Sequence, residues 1–293
     1  MPELPEVETI ARGVHERVRG DRIDDVWFSS YPQPFKTPPA RQAKGLEGRV
    51  ILAVHRTGKH IVFELGSADA ARKQKRKDPA PEAAKSEAAK VDAQWIVHLG
   101  MTGRLLVTKP ESPIAKHTHA RLTLKSGHEL RFVDPRRFGR LEFRTLGADA
   151  AFEAPGSEPL DIGGREFNAL FRERRLPIKA ALLNQTLLAG VGNIYADESL
   201  FRAGIRPRRR TNRITASEYD RLRLALRDVL RHAIRLGGSS VSDYVGADGE
   251  RGFFQLEHYV YLRTGEPCKK CKTPIKRLLV AGRGTHYCPN CQR

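Results

Sequence analysis

All four cysteines of the 293-residue chain fall in its last 26 residues, as Cys268-x2-Cys271 and Cys288-x2-Cys291 with sixteen residues between the pairs. Each Cys-x2-Cys knuckle can supply two corners of a tetrahedron, so the spacing points to one Zn²⁺ held by four thiolates. Such a closed site is structural and not catalytic. Two other chemistries use the same residues. Disulfides need an oxidising compartment, and the opening Met1-Pro2-Glu3-Leu4-Pro5-Glu6 shows no apolar export signal. A redox Cys-x2-Cys would not need duplication. Between the pairs lie Lys276, Arg277, Arg283 and the turn-forming Gly282-Arg283-Gly284-Thr285. The expected element is therefore a metal-supported basic β-hairpin, a shape that suits a DNA groove or backbone.

A second candidate is Gln185-Thr186-Leu187-Leu188-Ala189-Gly190-Val191-Gly192-Asn193-Ile194-Tyr195-Ala196-Asp197-Glu198, where two glycines and an asparagine directly precede a helix. Helix, tight turns and a second helix with outward N-terminal amides form a phosphate-binding corner, to which Asn193 adds a side-chain donor. An ordinary glycine-containing helix connection has the same spacing. Lys59 after Gly58, His98 at a strand end, and Asp134-Pro135-Arg136-Arg137-Phe138-Gly139 are polar or basic loop positions. Taken singly, each is more often solvated surface than ligand, Met101 more often core than contact, and Phe138 more often a hairpin residue than a wedge between bases.

These groups need elements to hold them. Val7, Ile10, Ala11, Val14 and Val18 recur at helical spacing, with Pro5 near the first helical position, so one amphipathic helix should end near Gly20. Eight short strands are expected over Ile23–Phe28, Arg49–His55, His60–Leu65, Trp95–Leu99, Leu105–Thr108, Ala120–Leu124, Glu129–Val133 and Arg140–Arg144. Helices follow at Arg165–Glu173, Ile178–Leu183, Asn193–Ala203 and Ala216–Leu236. The fold class is α+β: a β-sandwich carrying an N-terminal helix, then a helical domain and the four-cysteine zinc-finger hairpin. Domain limits fall at 1–148 for the sandwich, 149–164 for a linker, 165–264 for the helical domain and 265–293 for the finger. Residues from about 66 to 94, rich in Ala, Lys, Glu and Pro, should be a disordered loop insertion.

The charge is lopsided: 52 Lys and Arg against 34 Asp and Glu, a net +18. The insertion supplies only +2, from seven cations and five carboxylates, so the surplus sits on the folded parts and favours a polyanionic partner. Nucleic acid leads, ahead of an acidic membrane surface or a basic face kept for solubility. No apolar run approaches the ~20 residues of a membrane span, and the cytoplasm is the expected compartment.

Pro2-Glu3-Leu4-Pro5-Glu6-Val7-Glu8-Thr9, His98-Leu99-Gly100-Met101-Thr102-Gly103, the Gly190–Glu198 segment and the four-cysteine module, in this order, resemble the bacterial formamidopyrimidine-DNA glycosylase family. The likeness spans the chain outside the insertion. The sister family, endonuclease VIII, usually opens Pro-Glu-Gly-Pro-Glu, so Leu4 favours the purine-lesion branch. The resemblance implies a monomeric DNA glycosylase/AP lyase with a helix-two-turn-helix around 178–203 and one zinc ion. Its substrates would be duplexes with abasic sites or oxidised purines, chiefly 8-oxoguanine opposite cytosine and formamidopyrimidines.

By the same resemblance the nucleophile is the secondary amine of Pro2 once Met1 is removed. An α-amino group loses its proton near neutrality far more readily than lysine. Glu3 is the general acid/base for ring opening. Lys59, His98, Asn193, Tyr261 and Arg283 correspond to groups on the flanking phosphates. Met101, Arg136 and Phe138 fill the space left by the everted nucleotide, and residues at about 239–254 resemble a lid. Three departures stand out: the insertion, Arg277 where lysine is common, and Leu262 where glycine often follows the tyrosine. A non-catalytic binder of damaged DNA with the same fold is the competing class, but binding needs neither Pro2 nor Glu3 at the terminus.

Overall fold

A computed structural model of the chain describes residues 1–67, 90–240, 246–250 and 252–293. It divides into two compact units, one comprising Met1–Pro2, Glu6–Glu153 and Ser242–Arg251, the other Glu3–Pro5, Ala154–Val241 and Gly252–Arg293. Among the described residues no helix is long and apolar enough to cross a membrane.

The first unit is a β-sandwich. One antiparallel sheet has the order β2 (Val50–Thr57), β3 (His60–Gly66), β4 (Ala93–His98), β8 (Arg140–Thr145). The other runs β1 (Ile23–Phe28), β6 (Thr118–Leu124), β7 (Glu129–Val133), β5 (Arg104–Thr108). Alternate residues of both sheets turn inward, Ile61, Phe63, Leu65, Trp95 and Val97 from one and Ala120, Leu122, Leu130 and Phe132 from the other. Helix α1 (Leu4–Val18) adds Val7, Ile10, Ala11, Val14 and Val18 to that core, the stripe read from its spacing.

Three findings depart from expectation. Helix α2 (Pro39–Leu46) was not visible in the sequence because it buries only Gln42 and Leu46. Gln42 accepts a hydrogen bond from Trp95 Nε1 at 3.1 Å and donates to the Thr37 carbonyl at 2.7 Å, so a polar side chain does the packing. At the edges of the expected insertion, Gly66 closes β3 and Ala93 and Gln94 open β4, while residues 68–89 lie outside the described residues. Of the expected lid, 241–245 and 251 also lie outside them. Its Ala247 is buried in the sandwich core and accepts a hydrogen bond from Val107 N at 3.0 Å.

The second unit packs α3 (Gly164–Phe171), α4 (Ile178–Leu182), α5 (Asn193–Ala203) and α6 (Ala216–Arg235) around Phe167, Phe171, Tyr195, Tyr219, Leu222, Leu226 and Leu230. Thr215 and Glu218 form a reciprocal capping box at the start of α6, which satisfies two otherwise orphaned amides. The terminal hairpin pairs β9 (Lys276–Val280) with β10 (Arg283–Tyr287), as the sequence between the cysteine pairs implied.

Candidate active site and nucleic-acid interface

Glu3 is 5% exposed, and its carboxylate accepts from the amides of Ile194 at 3.2 Å and Tyr195 at 3.5 Å, the first turn of α5. The glycines before that helix make this approach possible. A Cβ on Gly192 would stand 2.1 Å from Glu3 Cδ, and Gly190, at φ +87°, accepts Leu4 N at 3.0 Å. Leu4 itself is fully buried in the helical core. The expectation that these amides face outward for a phosphate is thus corrected for Ile194 and Tyr195: the protein's own carboxylate takes them, because an acidic group at a helix N-terminus meets unsatisfied donors. Asn193 turns its amide elsewhere and donates to the Gly284 carbonyl of the hairpin at 3.0 Å.

Behind this turn lies a buried polar network that sequence reasoning missed. Lys179 and Asp197 are both fully buried and pair at 2.7 Å. Lys179 also donates to Thr285 Oγ1 at 2.9 Å and to the Gly284 carbonyl at 3.1 Å. Asp197 accepts His286 N at 2.8 Å. Burial pushes the Lys179 ammonium below its ordinary pKa, opposed by Asp197. One residue on, the buried Glu198 carboxylate accepts the amides of Tyr259, Val260 and Tyr261 at 2.9 to 3.0 Å and so fixes the segment carrying Tyr261. Burial raises the Tyr261 hydroxyl, opposed by a hydrogen bond with Asn193. The network therefore gathers Glu3, Asn193, Tyr261 and the start of β10, where Arg283 is exposed. Arg277 lies exposed on β9, opposite His286, with its guanidinium beside Gly284.

In the sandwich unit Pro2 is buried just ahead of α1, and Lys59, in the β2–β3 turn, is 8% exposed. His98 closes β4, accepts Gly100 N on Nδ1 at 3.2 Å and lies 4.8 Å from the His60 ring, tilted by 46°. Burial, reinforced by the charges of His60 and Lys59, holds His98 down to about 4, so it stands neutral at pH 7 with Nε2–H as its donor. Gly100, at φ +61°, lies against the 138–139 backbone so closely that a Cβ would come within 2.5 Å of Gly139 N. The fully buried Asp134 ties the two loops together, accepting Thr102 Oγ1 at 2.6 Å and Gly139 N at 2.8 Å. The groups they carry are presented outward: Met101 is 41% and Phe138 49% exposed, with the Arg136 guanidinium 4.9 Å over the Phe138 ring. Neither residue serves as core.

The four cysteine sulfurs lie within 4.8 Å of one another, with Cys271 to Cys288 at 3.4 Å and Cys268 to Cys291 at 3.9 Å. All four are free thiols, so the disulfide alternative fails. The edges of a tetrahedral thiolate site with bonds of about 2.3 Å are about 3.8 Å long, and the cluster fits a metal ion of that geometry.

Residues 1–141 match the formamidopyrimidine-DNA glycosylase N-terminal domain, 154–245 the H2TH domain of the same enzymes, and 265–293 a zinc finger found in FPG and IleRS. The chain is 43% identical over 293 residues to a formamidopyrimidine-DNA glycosylase of Solibacter usitatus and 40% identical over 304 residues to one of Paraburkholderia phymatum, with 100% of each chain covered. Among solved structures it is similar to Lactococcus lactis Fpg in complex with abasic-site DNA, at 34% identity, TM-score 0.83 and 99% coverage of both chains. It is likewise similar to MutM (FPG) of Thermus thermophilus, at 40% identity and TM-score 0.79, covering 99% of this chain and 98% of that one. The chain belongs to the formamidopyrimidine-DNA glycosylase family.

Proposed function

We propose that this chain is a bifunctional DNA glycosylase and AP lyase that excises oxidised purines through a Schiff base on Pro2. The observation that carries the reading is the carboxylate of Glu3, anchored on two α5 amides and bonded in sequence to the candidate nucleophile. Once Met1 is removed, the Pro2 amine attacks C1′, the nitrogen passes its proton to the Glu3 carboxylate, and the bond to the base breaks, its electron pair leaving with the base. The ring then opens as the C1′–O4′ bond breaks, O4′ taking a proton from Glu3 and C1′ becoming an iminium of Pro2. The iminium acidifies C2′–H, and loss of that proton expels the 3′ phosphate. A second elimination expels the 5′ phosphate, and water releases the amine.

The remaining assignments follow from chemistry and exposure. Lys59, His98, Asn193, Tyr261, Arg277 and Arg283 contact backbone phosphates, and His98 does so as a neutral donor. Met101, Arg136 and Phe138 occupy the gap left by the everted nucleotide, which suits two exposed apolar groups around one guanidinium. Cys268, Cys271, Cys288 and Cys291 hold one Zn²⁺, whose part is to fix the hairpin. Leu4, seated in the helical core, supports the purine-lesion branch over the endonuclease VIII pattern. The protein is taken to work as a cytoplasmic monomer on duplex DNA, as the family resemblance implies.

The test is borohydride trapping on a duplex with one 8-oxoguanine opposite cytosine, followed by peptide mass mapping. An adduct on Pro2 is expected, and Pro2→Gly should cripple trapping far more than it weakens DNA affinity. Tight binding with no adduct from a protein confirmed to begin at Pro2 would overturn the lyase assignment. A stronger reaction with a dihydrothymine duplex would overturn the purine preference.

A further inference from the structure

At the end of α5 away from Asn193, Arg202, Arg231, Arg235 and Lys270 line a cleft of about 730 Å³ that also holds Asp228, Glu257 and Tyr259. Arg202 lies nine residues beyond Asn193, about 13 Å along the helix axis at ~1.5 Å per residue. On α6, Asp228, Arg231 and Arg235 fall at i, i+3 and i+7 and share one face. None of the four cations has a carboxylate within 4.0 Å among the described residues, although two carboxylates line the same cleft. Aromatic rings hold two of them instead: Arg202 sits 5.5 Å over Tyr259 and Lys270 5.2 Å over Phe201. The carbonyl ends of α5 and α6 account for a cation at Arg202 and at Arg235. They do not account for Arg231, a turn earlier and a like-charge neighbour of Arg235, nor for Lys270 on the metal knuckle.

We propose that this cleft is a docking site for an acidic peptide segment of a partner protein. Guanidinium forks pair with carboxylates bidentately, and clusters of them are a recurring means of capturing acidic motifs. Asp228 and Glu257 decide between ligands. They would repel a run of DNA phosphates and the carboxylates of a peptide alike, but only a peptide also carries backbone N–H donors that Asp228 and Glu257 accept. The position at the far end of α5 from Asn193 leaves the site open to a partner while the protein holds DNA. The proposal is independent of the lesion chemistry assigned above.

The experiment is fluorescence anisotropy with a fluorescein-labelled decapeptide of alternating aspartate and alanine, titrated with the full metal-loaded chain already saturated with an abasic-site duplex. Binding to the duplex-bound protein is expected. It should weaken at least about tenfold in Arg231→Glu/Arg235→Glu, whose affinity for the duplex stays within about twofold of the parent. Asp228→Asn should tighten the peptide, a gain that a misfolded variant could not give. Displacement of the peptide by the duplex, or a parallel loss of duplex affinity in the double variant, would make the cleft part of the DNA surface and overturn the proposal. So would equal peptide affinity in parent and double variant, or no binding at all.

Discussion

At the loops of the sandwich, Asp134 is fully buried while Met101, Arg136 and Phe138, mounted on the loops it ties, stand exposed. Around α5 the arrangement is inverted, since the carboxylate proposed for catalysis, Glu3, is itself buried and rests on the Ile194 and Tyr195 amides of the helix that also carries the buried Asp197 and Glu198. The first region mounts candidate DNA-contacting groups on a scaffold that should survive their removal. In the second, the candidate catalytic group and the buried polar network around Asp197 are anchored on one helix, so damage to chemistry and damage to stability should arrive together.

The largest effect is expected where that network is broken from one side. Asp197→Ala leaves the Lys179 ammonium buried without its counter-charge, and frees His286 N as well. Breaking such a pair costs about 3–5 kcal/mol. Urea unfolding followed by far-UV circular dichroism should show the loss. A change under about 1 kcal/mol would mean that Lys179 sheds its proton and the network closes without it. Both tryptophans, Trp27 and Trp95, belong to the sandwich strands, so their fluorescence reports the other unit and should move less.

Acid reverses the comparison. Burial first, then neighbouring cations, holds His60 and His98 of the sandwich down to about 4, against an ordinary 6.5. The unfolded chain therefore binds protons that the folded unit refuses, and stability falls as pH drops from about 6.5 to about 4, then levels off. A shift of this size is on the order of 3 kcal/mol per ring. His258 of the helical unit is held at about 4 in the same way, so the sandwich carries two such rings and its partner one. Tryptophan-detected unfolding should thus lose midpoint over that range. His98→Gln should flatten the dependence, and an unchanged slope would refute the assignment.

A smaller loss separates scaffold from tool within the sandwich. Asp134→Ala removes acceptors from Thr102 and Gly139 and should cost about 2–3 kcal/mol. Phe138→Ala, at a half-exposed ring, should cost no more than about 0.5 kcal/mol while sharply reducing capture of lesion DNA. Equal stability losses in the two variants would erase the distinction drawn between these regions.

The sequence reading and the structure part along the same line. Short strands bounded by turn residues, such as Ile23–Phe28 and Glu129–Val133, and the helix Asn193–Ala203 took their read boundaries, because period and turn residues are local signals. The cysteine module was legible for the same reason. Helix α2 escaped because its packing residue is Gln42, a polar side chain whose partners Trp95 and Leu141 are remote in sequence. Lys179 escaped because a lysine beside Ala180 and Ala181 reads as solvent-facing until Asp197, eighteen residues on, closes over it. The outward amides of α5 were misassigned because the competitor, Glu3, arrives from the opposite end of the chain.

Leu262, which follows Tyr261, supplies the smallest and cleanest test. Its φ of +60° lies in the left-handed region, and its side chain is 56% exposed, so it accepts backbone strain and returns little burial. Left-handed geometry costs an L-residue roughly 1–2 kcal/mol, and glycine gives back part of any gain by loosening the unfolded chain. Leu262→Gly should therefore stabilise the helical unit by about 0.5–1 kcal/mol. The amides of residues 259–261 remain pinned by Glu198, so DNA capture should not change. Stabilisation with unaltered trapping would show that tool and scaffold can be separated even here, at the rim of the network. A stability loss would instead assign the exposed leucine a packing role that its accessibility does not reveal.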